Sequence, residues 1–275
     1  MLKPVVKWAG GKRQLIDEIF LRIPEKWNTY YEPFIGGGAV FIHLYNENLI
    51  QNAVINDINR ELVNLYLTIQ ENHCDLSMEL KSEDFKNDSE VFYNLRDEFN
   101  MILGDESQKI RRAALFIYLN RHCFNGLWRE NKSGLFNVPF GRYKSPKLPD
   151  EEFILSFGKM LERTKIKNEG FESSVAGAKE GDFVYFDPPY MPVSKTADFT
   201  SYSSSGFCYN DQKRLSLLFR ELSDNGVNVM LSNSNNPEIH QLYSGYNIHV
   251  VEARRNINSN PDKRLGASEV IVTNY

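Results

Sequence analysis

The chain has 275 residues, of which 41% are hydrophobic and 13% aromatic, and its 32 basic against 36 acidic residues give a formal net charge of −4. This composition is typical of a globular protein and excludes disorder or coiled coil as the main state. The longest fully apolar run, from Ala113 to Leu119, has seven residues, whereas a membrane-spanning helix needs about 20. The N-terminal residues lack the apolar stretch of a secretory signal, so we expect a cytoplasmic protein with no membrane partner.

Four short apolar runs predict buried strands, because each ends in a polar or Gly/Pro cluster. In chain order they are residues 30–34, 53–57, 183–187 and 227–231. Helical patterns lie between or after them at residues 12–20, 40–45, 58–70 and 211–222. Strands that alternate with helices predict an α/β fold with a mainly parallel, doubly wound sheet, whose ligands bind at the carboxyl ends of the strands.

Charge is distributed unevenly along the chain. Residues 71–106 carry eleven acidic and three basic residues, whereas residues 107–147 carry nine basic residues against Glu130 alone. Aromatic residues stand among the basic ones, a pattern typical of a surface that neutralises phosphates and wedges between bases. The alternative is a solvated face that pairs with the acidic segment.

The charge reversal falls in residues 59–147, which also break the alternation of strands and helices. This span is predicted to be mostly helix, followed by an irregular segment rich in Gly, Asn and Pro. We therefore predict that residues 59–147 form an inserted domain. Residues 1–58 and 148–275 would then be the two parts of the main domain.

A glycine-rich segment, EPFIGGGAVF at residues 32–41, follows a predicted strand and opens a predicted helix. Glycines at such a turn let the backbone approach a ligand closely. Phe41 stands where the last glycine of G-x-G-x-x-G would be, which argues against an ordinary nicotinamide site. Asp57 ends the next predicted strand, where a carboxylate can accept hydrogen bonds from ribose hydroxyls. The combination predicts a nucleoside-bearing cofactor, although such turns also occur without one.

The most specific single motif is DPPY at residues 187–190, directly after an apolar strand. Two consecutive prolines remove two N–H donors and force an extended turn, which leaves carbonyl groups beside a carboxylate and an aromatic ring. Such acceptors suit a planar group that bears an amino group. Asp187 and a proline carbonyl would accept its two hydrogens while Tyr190 stacks on its ring. The alternative is a strand-terminating turn with a buried tyrosine.

Metal binding and ATP binding are not indicated by the sequence. The three cysteines, Cys74, Cys123 and Cys208, form no C-x-x-C pair, which fits neither a disulfide framework nor a thiolate zinc site. The segment KWAGGK at residues 7–12 lacks the spacing and the final hydroxyl residue of an ATP-binding loop. Lys12 stands at a predicted helix start and can still hold a carboxylate.

Seven motifs in this order resemble those of the Dam-type DNA adenine methyltransferases, whose cofactor motif precedes the recognition domain and the catalytic motif. They are KWAGGK (7–12), EPFIGGGAVF (32–41), IND (55–57), LNRHCFNGLWR (119–129), FNVPFGRYK (136–144), DPPY (187–190) and LSNS (231–234). The resemblance implies a Rossmann-like, S-adenosylmethionine-dependent methyltransferase sheet with an inserted, mainly helical DNA-recognition domain. It also implies methyl transfer to the N6 amino group of a flipped-out adenine in double-stranded DNA, commonly within GATC.

Position by position, the resemblance implies three sets of site residues. The catalytic set is Asp187, Pro188, Pro189 and Tyr190. The cofactor set, for S-adenosylmethionine, is Trp8, Ala9, Lys12, Phe34, Gly36, Gly38, Asp57, Ile58, Phe171 and Asp187. The DNA set is Phe124, Asn125, Leu127, Arg129, Asn137, Pro139, Arg142, Tyr143 and Lys144. No metal is implied, and a monomer is compatible with these roles.

Individual roles follow from the same resemblance. Trp8 and Lys12 would contact the methionine part of the cofactor, Asp57 the ribose, and Ile58 with Phe171 the two faces of its adenine. Among the DNA residues, Phe124 would wedge into the base stack and Asn125 would contact a phosphate. Leu127 and Arg129 would read bases. Residues 142–144 would make further DNA contacts.

Three rival functions stay open at this point. An enzyme that methylates an amino group on cytosine or in RNA would need a similar acceptor geometry. A DNA-binding regulator without catalysis is disfavoured because DPPY is complete, and a nicotinamide oxidoreductase is disfavoured by Phe41 and by the basic segment. A role in restriction–modification is one of those open to a DNA methyltransferase.

Overall fold

The structure is a computed structural model that describes residues 1–191, 207–252 and 268–275. Its strands are β1 (Tyr30–Glu32), β2 (Ala53–Asn56), β3 (Thr164–Lys167), β4 (Phe183–Phe186), β5 (Asn228–Ser234), β6 (Asn247–Glu252) and β7 (Ser268–Thr273). They form one sheet in the order β3-β2-β1-β4-β5-β7-β6. β1, β4 and β5 pair in parallel, whereas β7 runs antiparallel to both β5 and β6.

Helices precede, connect and follow these strands. The α-helices are α1 (Ile16–Phe20), α2 (Ala39–Asn46), α3 (Arg60–Glu79), α4 (Ser89–Met101), α5 (Lys109–His122), α6 (Glu151–Leu161), α7 (Phe171–Ser174), α8 (Tyr209–Asp224) and α9 (Pro237–Leu242). Short 3₁₀ turns occur at Lys12–Gln14, Glu106–Gln108 and Phe124–Gly126. Among the helices of the described part of the chain, none combines the length and apolar character needed to span a bilayer.

The α/β fold predicted from the sequence is confirmed, and the four predicted strands are present with shifted ends. β1 ends at Glu32 instead of residue 34, because Pro33 has no N–H to donate to a neighbouring strand. β2 and β4 each end one residue earlier than predicted. β5 continues to Ser234 because its last five residues pair with β7. β3 and the antiparallel β6–β7 pair were not predicted.

The four predicted helices are also present; α2 and α8 extend one and two residues beyond the predicted range at each end, and the other two differ more. The pattern at residues 12–20 forms a 3₁₀ turn followed by α1. The helix predicted at 58–70 begins later, at Arg60, because the Oδ1 atom of Asn59 accepts a hydrogen bond from Leu62 N at 2.9 Å and caps the helix. It continues to Glu79 across a kink at Asn72.

The chain divides into two compact units, the first of which comprises residues 1–11, 35–49 and 55–169. Its centre is α5, whose apolar run Ala113–Leu119 is fully buried. After α5, residues 123–150 form turns and two isolated β-bridges, in keeping with the irregular segment predicted there. The inserted domain at residues 59–147 is a different division and stays a prediction.

The second unit comprises residues 12–34, 50–54 and 170–275. All four residues of β4 are fully buried, as expected for a central strand that is covered on both faces. Phe219 of α8 and Tyr243 pack into the same cluster as Phe186. The DPPY motif therefore follows a strand whose position is fixed by packing.

A buried ion pair joins α3 to α5 within the first unit. Arg112 is 1% exposed, and its Nε and Nη2 atoms donate to Oε2 and Oε1 of Glu61 at 2.9 and 2.7 Å. Its Nη1 atom donates to the main-chain oxygen of Asp105 at 3.0 Å. If the carboxylate partner is removed, the buried guanidinium stays desolvated and loses the attraction that offset this cost in free energy.

Glu61→Ala is therefore expected to lower the free energy of unfolding by about 3–5 kcal/mol, measured by urea denaturation. Glu71→Ala is the matched control, because Glu71 lies on the same helix and forms an exposed pair with Lys109 at 3.3 Å. Exposed pairs contribute about 1 kcal/mol or less. Equal losses in the two variants would contradict the importance of the buried pair.

Candidate active site and nucleic-acid interface

Asp187 lies directly after β4, and two side chains contact one oxygen of its carboxylate. Lys12 Nζ lies 2.7 Å from Asp187 Oδ1, and Ser232 Oγ donates to the same oxygen at 3.0 Å. Burial raises the pKa of Asp187, while the Lys12 ammonium and the Ser232 hydroxyl lower it. Both contacts fall on Oδ1, so among the described residues Oδ2 is the oxygen left to accept from a ligand.

The ring of Tyr190 is fixed at two points. Its hydroxyl donates to Glu269 Oε2 at 2.5 Å, and the Lys12 ammonium lies 4.5 Å from the ring centroid. Burial and the nearby negative charge of Asp187 raise the pKa of Tyr190, so the hydroxyl stays protonated and remains a donor. The ring is thereby held in one orientation, as a stacking surface requires.

A buried amide pair supports the main chain of the DPPY motif. Gln212, which is 1% exposed, donates from Nε2 to the carbonyl oxygen of Pro189 at 2.9 Å and accepts from Asn233 Nδ2 at 3.1 Å. Asn233 Oδ1 accepts from the main-chain N–H of Met191 at 3.1 Å. The Pro189 carbonyl is thus occupied, whereas Pro188 is buried with no described donor on its oxygen.

The glycine turn and Asp57 are joined by hydrogen bonds in the first unit. Asp57 Oδ2 accepts from Gly36 N at 3.0 Å and Oδ1 accepts from Asn59 N at 2.9 Å. Burial raises the pKa of Asp57, and these backbone N–H groups lower it. The carboxylate therefore holds the turn in shape and still has lone pairs for a further donor.

Close packing against Trp8 explains why Gly36 is glycine. Its φ is +48°, and a Cβ atom there would lie 2.6 Å from Trp8 Cδ1. Gly38 has a φ of +70° and is the N-cap of α2. Trp8 in turn stacks on Phe116 and Trp128 at ring-centroid distances of 6.3 and 6.4 Å. Ala9 lies in the exposed turn that follows Trp8.

In the second unit, the structure brings Phe34 and Phe171 together. Their ring centroids lie 5.6 Å apart, and Phe207 lies 5.6 Å from Phe34. Phe171 is 8% exposed. Ile58, which belongs to the first unit, is 76% exposed.

The predicted wedge residue, Phe124, lies on a sharp turn after α5. Asn125 has a φ of +56°, and Phe124 N donates to the carbonyl oxygen of Pro139 at 2.8 Å. Phe124 and Leu127 are 51% and 41% exposed. The turn thus displays two apolar side chains to solvent.

Residues 128–138 form a narrow hairpin that brings two more predicted DNA residues together. Arg129 Nε donates to Asn137 Oδ1 at 2.8 Å, and Nη2 lies 3.5 Å from the main-chain oxygen of Asn137. Trp128 stacks on Phe116 at 3.8 Å and on Phe136 at 4.5 Å. These aromatic contacts hold the hairpin against α5. The pair of Arg129 and Asn137 lies on the more exposed side of the hairpin.

The remaining predicted DNA residues follow this hairpin. Arg142 and Lys144 are exposed, and Arg142 has a φ of +52°. Between them, Tyr143 lies under the ammonium of Lys7, with Nζ 4.8 Å from the ring centroid. Asn120 holds the main chain of Lys7 through its N–H and its carbonyl, both at 2.8 Å.

Four supporting residues were missed by sequence reasoning. Ser232 and Asn233 lie inside the LSNS motif, which was recognised without a role for either side chain. Gln212 and Glu269 carried no signal, because a lone amide on a helix and a lone acid on a strand are usually solvated. Within the described ranges, no group of three or more His, Cys, Asp or Glu side chains is arranged to hold a metal ion.

Comparison with known proteins places this arrangement among the DNA methyltransferases. The family model for D12 class N6 adenine-specific DNA methyltransferases matches residues 8–257. The chain is 46% identical over 276 residues to the type II methyltransferase M1.LlaDCHI of Lactococcus lactis subsp. cremoris. This alignment covers all of the chain and 96% of the relative. The chain is 41% identical over 288 residues to the type II methyltransferase M.MjaIII of Methanocaldococcus jannaschii (100% and 99% covered). It is 37% identical over 270 residues to a DNA adenine methylase of Escherichia coli K12 (97% and 93% covered).

The ion pair at the end of β4 leads to a prediction about protonation. Lys12→Met is expected to raise the pKa of Asp187 further, because the variant loses the positive charge that favours the carboxylate. The measurement is a pH titration of the side-chain carboxyl carbons by ¹³C NMR, with the Asp187 signal assigned from Asp187→Asn. Lys179→Met, at an exposed position, is the control and should leave the titration unchanged. A pKa that stays the same or falls in Lys12→Met would contradict the role given to Lys12.

Proposed function

The chain belongs to the D12 class of N6 adenine-specific DNA methyltransferases, and from that premise we propose the donor, the substrate geometry and the residues of its reaction. The methyl donor is S-adenosylmethionine, and the acceptor is the N6 amino group of an adenine flipped out of duplex DNA. The observation that carries this proposal is the arrangement of acceptors after β4. Contacts on Asp187 Oδ1 and on the Pro189 carbonyl leave Asp187 Oδ2 and the Pro188 carbonyl for an amino group.

The residues proposed for the cofactor fit its chemistry. Gly36 and Gly38 have φ angles of +48° and +70° in the turn before α2, and glycine turns of this kind let a backbone approach a ligand closely. Asp57, directly after β2, supplies acceptors for ribose hydroxyls. Exposed Ile58 and the aromatic ring of Phe171 supply apolar surfaces for the adenine. Lys12 is proposed to contact the methionine part and, through its ion pair, to link that part to Asp187.

When bound, S-adenosylmethionine supplies an electrophilic methyl group on a positively charged sulfur atom. The protein's task is to present a nucleophile in line with that methyl group. Oδ2 of Asp187 and the Pro188 carbonyl accept the two amino hydrogens of adenine, which orients the nitrogen and favours a more tetrahedral geometry. Tyr190 stacks on the base. Catalysis then consists of positioning and electrostatic stabilisation, which supply several kcal/mol in enzymes of many kinds.

Base flipping is required because an adenine inside the duplex is stacked and paired. Extrusion costs a few kcal/mol of lost stacking and pairing. Phe124, on its exposed turn, is proposed to wedge into the stack and fill the gap that the base leaves. Asn125, beside it, is proposed to contact a phosphate.

Recognition of the duplex is assigned to the predicted domain at residues 59–147. Leu127, Pro139 and Arg129 are proposed to contact base edges, since apolar groups suit the thymine methyl and a guanidinium suits guanine. Arg142, Tyr143 and Lys144 are proposed to meet phosphates, which give affinity without sequence information. By the resemblance, the modified site is GATC. The names of the type II methyltransferases it resembles suggest a role in restriction–modification.

The experiment that tests the proposed function is expression in a host without DNA methylation, followed by single-molecule sequencing of the host DNA. Modified adenine at the N6 position within GATC is the expected result. Modified cytosine, or unmodified DNA in cells that contain folded protein, would overturn the proposal. N6-methyladenine within another sequence would contradict GATC as the modified sequence but would leave the proposed reaction intact.

Asp187→Ala is expected to abolish methyl transfer while duplex binding stays within about tenfold of the parent, because the carboxylate acts on the flipped amino group. Single-turnover transfer and duplex binding are measured on the same preparations. Asp224→Ala, an exposed aspartate at the end of α8, is the control and should behave as the parent. Residual transfer above a few per cent of the parent rate would contradict the catalytic role.

Asp57→Ala is expected to weaken S-adenosylmethionine binding by about 1.5–3 kcal/mol, the range for a hydrogen bond to a charged group. Calorimetric titration measures the affinity, and urea denaturation measures the separate loss of the bonds to Gly36 and Asn59. The control is Asp75→Ala, at an exposed position on α3. A destabilised variant with unchanged cofactor affinity would show that Asp57 only holds the turn.

A further inference from the structure

The Arg129–Asn137 pair lies on a hairpin whose backbone is fixed on both sides. Asn137 N donates to the carbonyl oxygen of Arg129 at 3.2 Å, and residues 130 and 136 form an antiparallel bridge. Asn131 closes the turn, because its Oδ1 atom accepts from Ser133 N and Leu135 N at 2.9 and 3.1 Å. Arg129 and Asn137 therefore lie directly opposite each other on a short two-stranded segment.

Side chains on either side of the pair tie this segment to the helices of the first unit. Asn100 of α4 makes two hydrogen bonds with the main chain of Phe136, at 2.9 and 3.1 Å. Phe136 is 1% exposed, and Trp128 stacks against it and against Phe116 of α5. The backbone under Arg129 and Asn137 is thus anchored by buried neighbours, so the remaining freedom lies in the arginine side chain itself.

Asn137 occupies one edge of the guanidinium group. A guanidinium has a side edge, formed by Nε and Nη2, and an end edge, formed by the two Nη atoms. Asn137 Oδ1 accepts from Nε at 2.8 Å and its main-chain oxygen lies 3.5 Å from Nη2. The side edge is therefore directed at Asn137, and the end edge keeps two parallel N–H groups for another bidentate acceptor.

We infer that Asn137 is a specificity-determining positioning residue, which orients Arg129 so that the end edge of its guanidinium is presented to a guanine in the major groove. This inference rests on the proposed role of Arg129 as a base reader. O6 and N7 of guanine form a pair of acceptors that matches one guanidinium edge. An unoriented arginine can also turn toward phosphates, which would lower discrimination while keeping affinity. In this view Asn137 acts through Arg129, and its own contact with DNA is unnecessary.

The test uses the full-length protein and a panel of duplexes that differ from the modified site by one base pair. Discrimination is the ratio of kcat/KM for methyl transfer on the modified site to that on each altered duplex. Arg129→Ala is expected to lower this ratio at one base position by roughly 5- to 150-fold, the contribution of one bidentate base contact. Asn137→Ala should lower the ratio at the same position by about two- to tenfold, the contribution of one hydrogen bond.

A second variant separates orientation of Arg129 from direct phosphate contact. Asn137→Asp keeps an oxygen acceptor for Arg129 Nε but replaces the amide donor with a negative charge. It should retain the discrimination of the parent, although the added charge weakens binding to all duplexes. The double variant Arg129→Ala/Asn137→Ala should discriminate no worse than Arg129→Ala alone, since the two residues act as one unit. Ser133→Ala, in the turn of the same hairpin, is the matched control and should preserve the ranking of duplexes.

The outcomes distinguish failure of this inference from failure of the proposed function. If Arg129→Ala leaves the ranking of duplexes intact, Arg129 is not a base reader, and both the proposed role and this inference are wrong. If Arg129→Ala relaxes discrimination but Asn137→Ala lowers every duplex equally, only this inference is wrong. Weaker binding of all duplexes in Asn137→Ala, with discrimination intact, would identify Asn137 as a phosphate contact.

Discussion

The ion pair between Lys12 and Asp187 is the interaction on which the candidate site depends. β4 is fully buried, so the position directly after it, that of Asp187, is a poor environment for a charge. The ammonium of Lys12 and the hydroxyl of Ser232 stabilise the carboxylate there, and both do so on the same oxygen. The protein thus holds Oδ1 of Asp187, and this fixes the direction in which Oδ2 points. The same ammonium lies over the ring of Tyr190, so one cation orients two members of the motif.

Rigidity at the motif comes from hydrogen bonds to the Pro189 carbonyl and the Met191 N–H, on either side of Tyr190. Proline has no main-chain N–H to donate, and the carbonyl groups of the motif find donors elsewhere in the fold. Gln212 of α8 donates to the Pro189 carbonyl, Asn233 of β5 accepts from the main-chain N–H of Met191, and the two amides bond to each other. Because both amides are buried, loss of either would leave an unpaired polar group in the core. Packing and polar satisfaction therefore hold the acceptors in place before any substrate arrives.

The sequence predicted those parts of the fold and site whose signal is local. Apolar runs at residues 30–34 and 183–187 predicted strands, and the motif order predicted the family. β3 and β6 were missed because their exposed residues interrupt the apolar pattern, and β7 because only three of its residues form an apolar run. The supports of Asp187 and Tyr190 come from residues 45 and 79 positions away in the chain. Such pairs are set by tertiary packing, which a single sequence does not display.

The position of β7 constrains the order of events during synthesis. β7 follows β6 along the chain but lies between β5 and β6 in the sheet. On the ribosome, β6 emerges before the strand that it pairs with, and it waits without a neighbour until β7 has been made. Glu269 belongs to β7, so the hydroxyl of Tyr190 also gains its acceptor only at that stage. A nascent chain can thus assemble the parallel strands early, while its DPPY tyrosine acquires a fixed orientation only with the last strand.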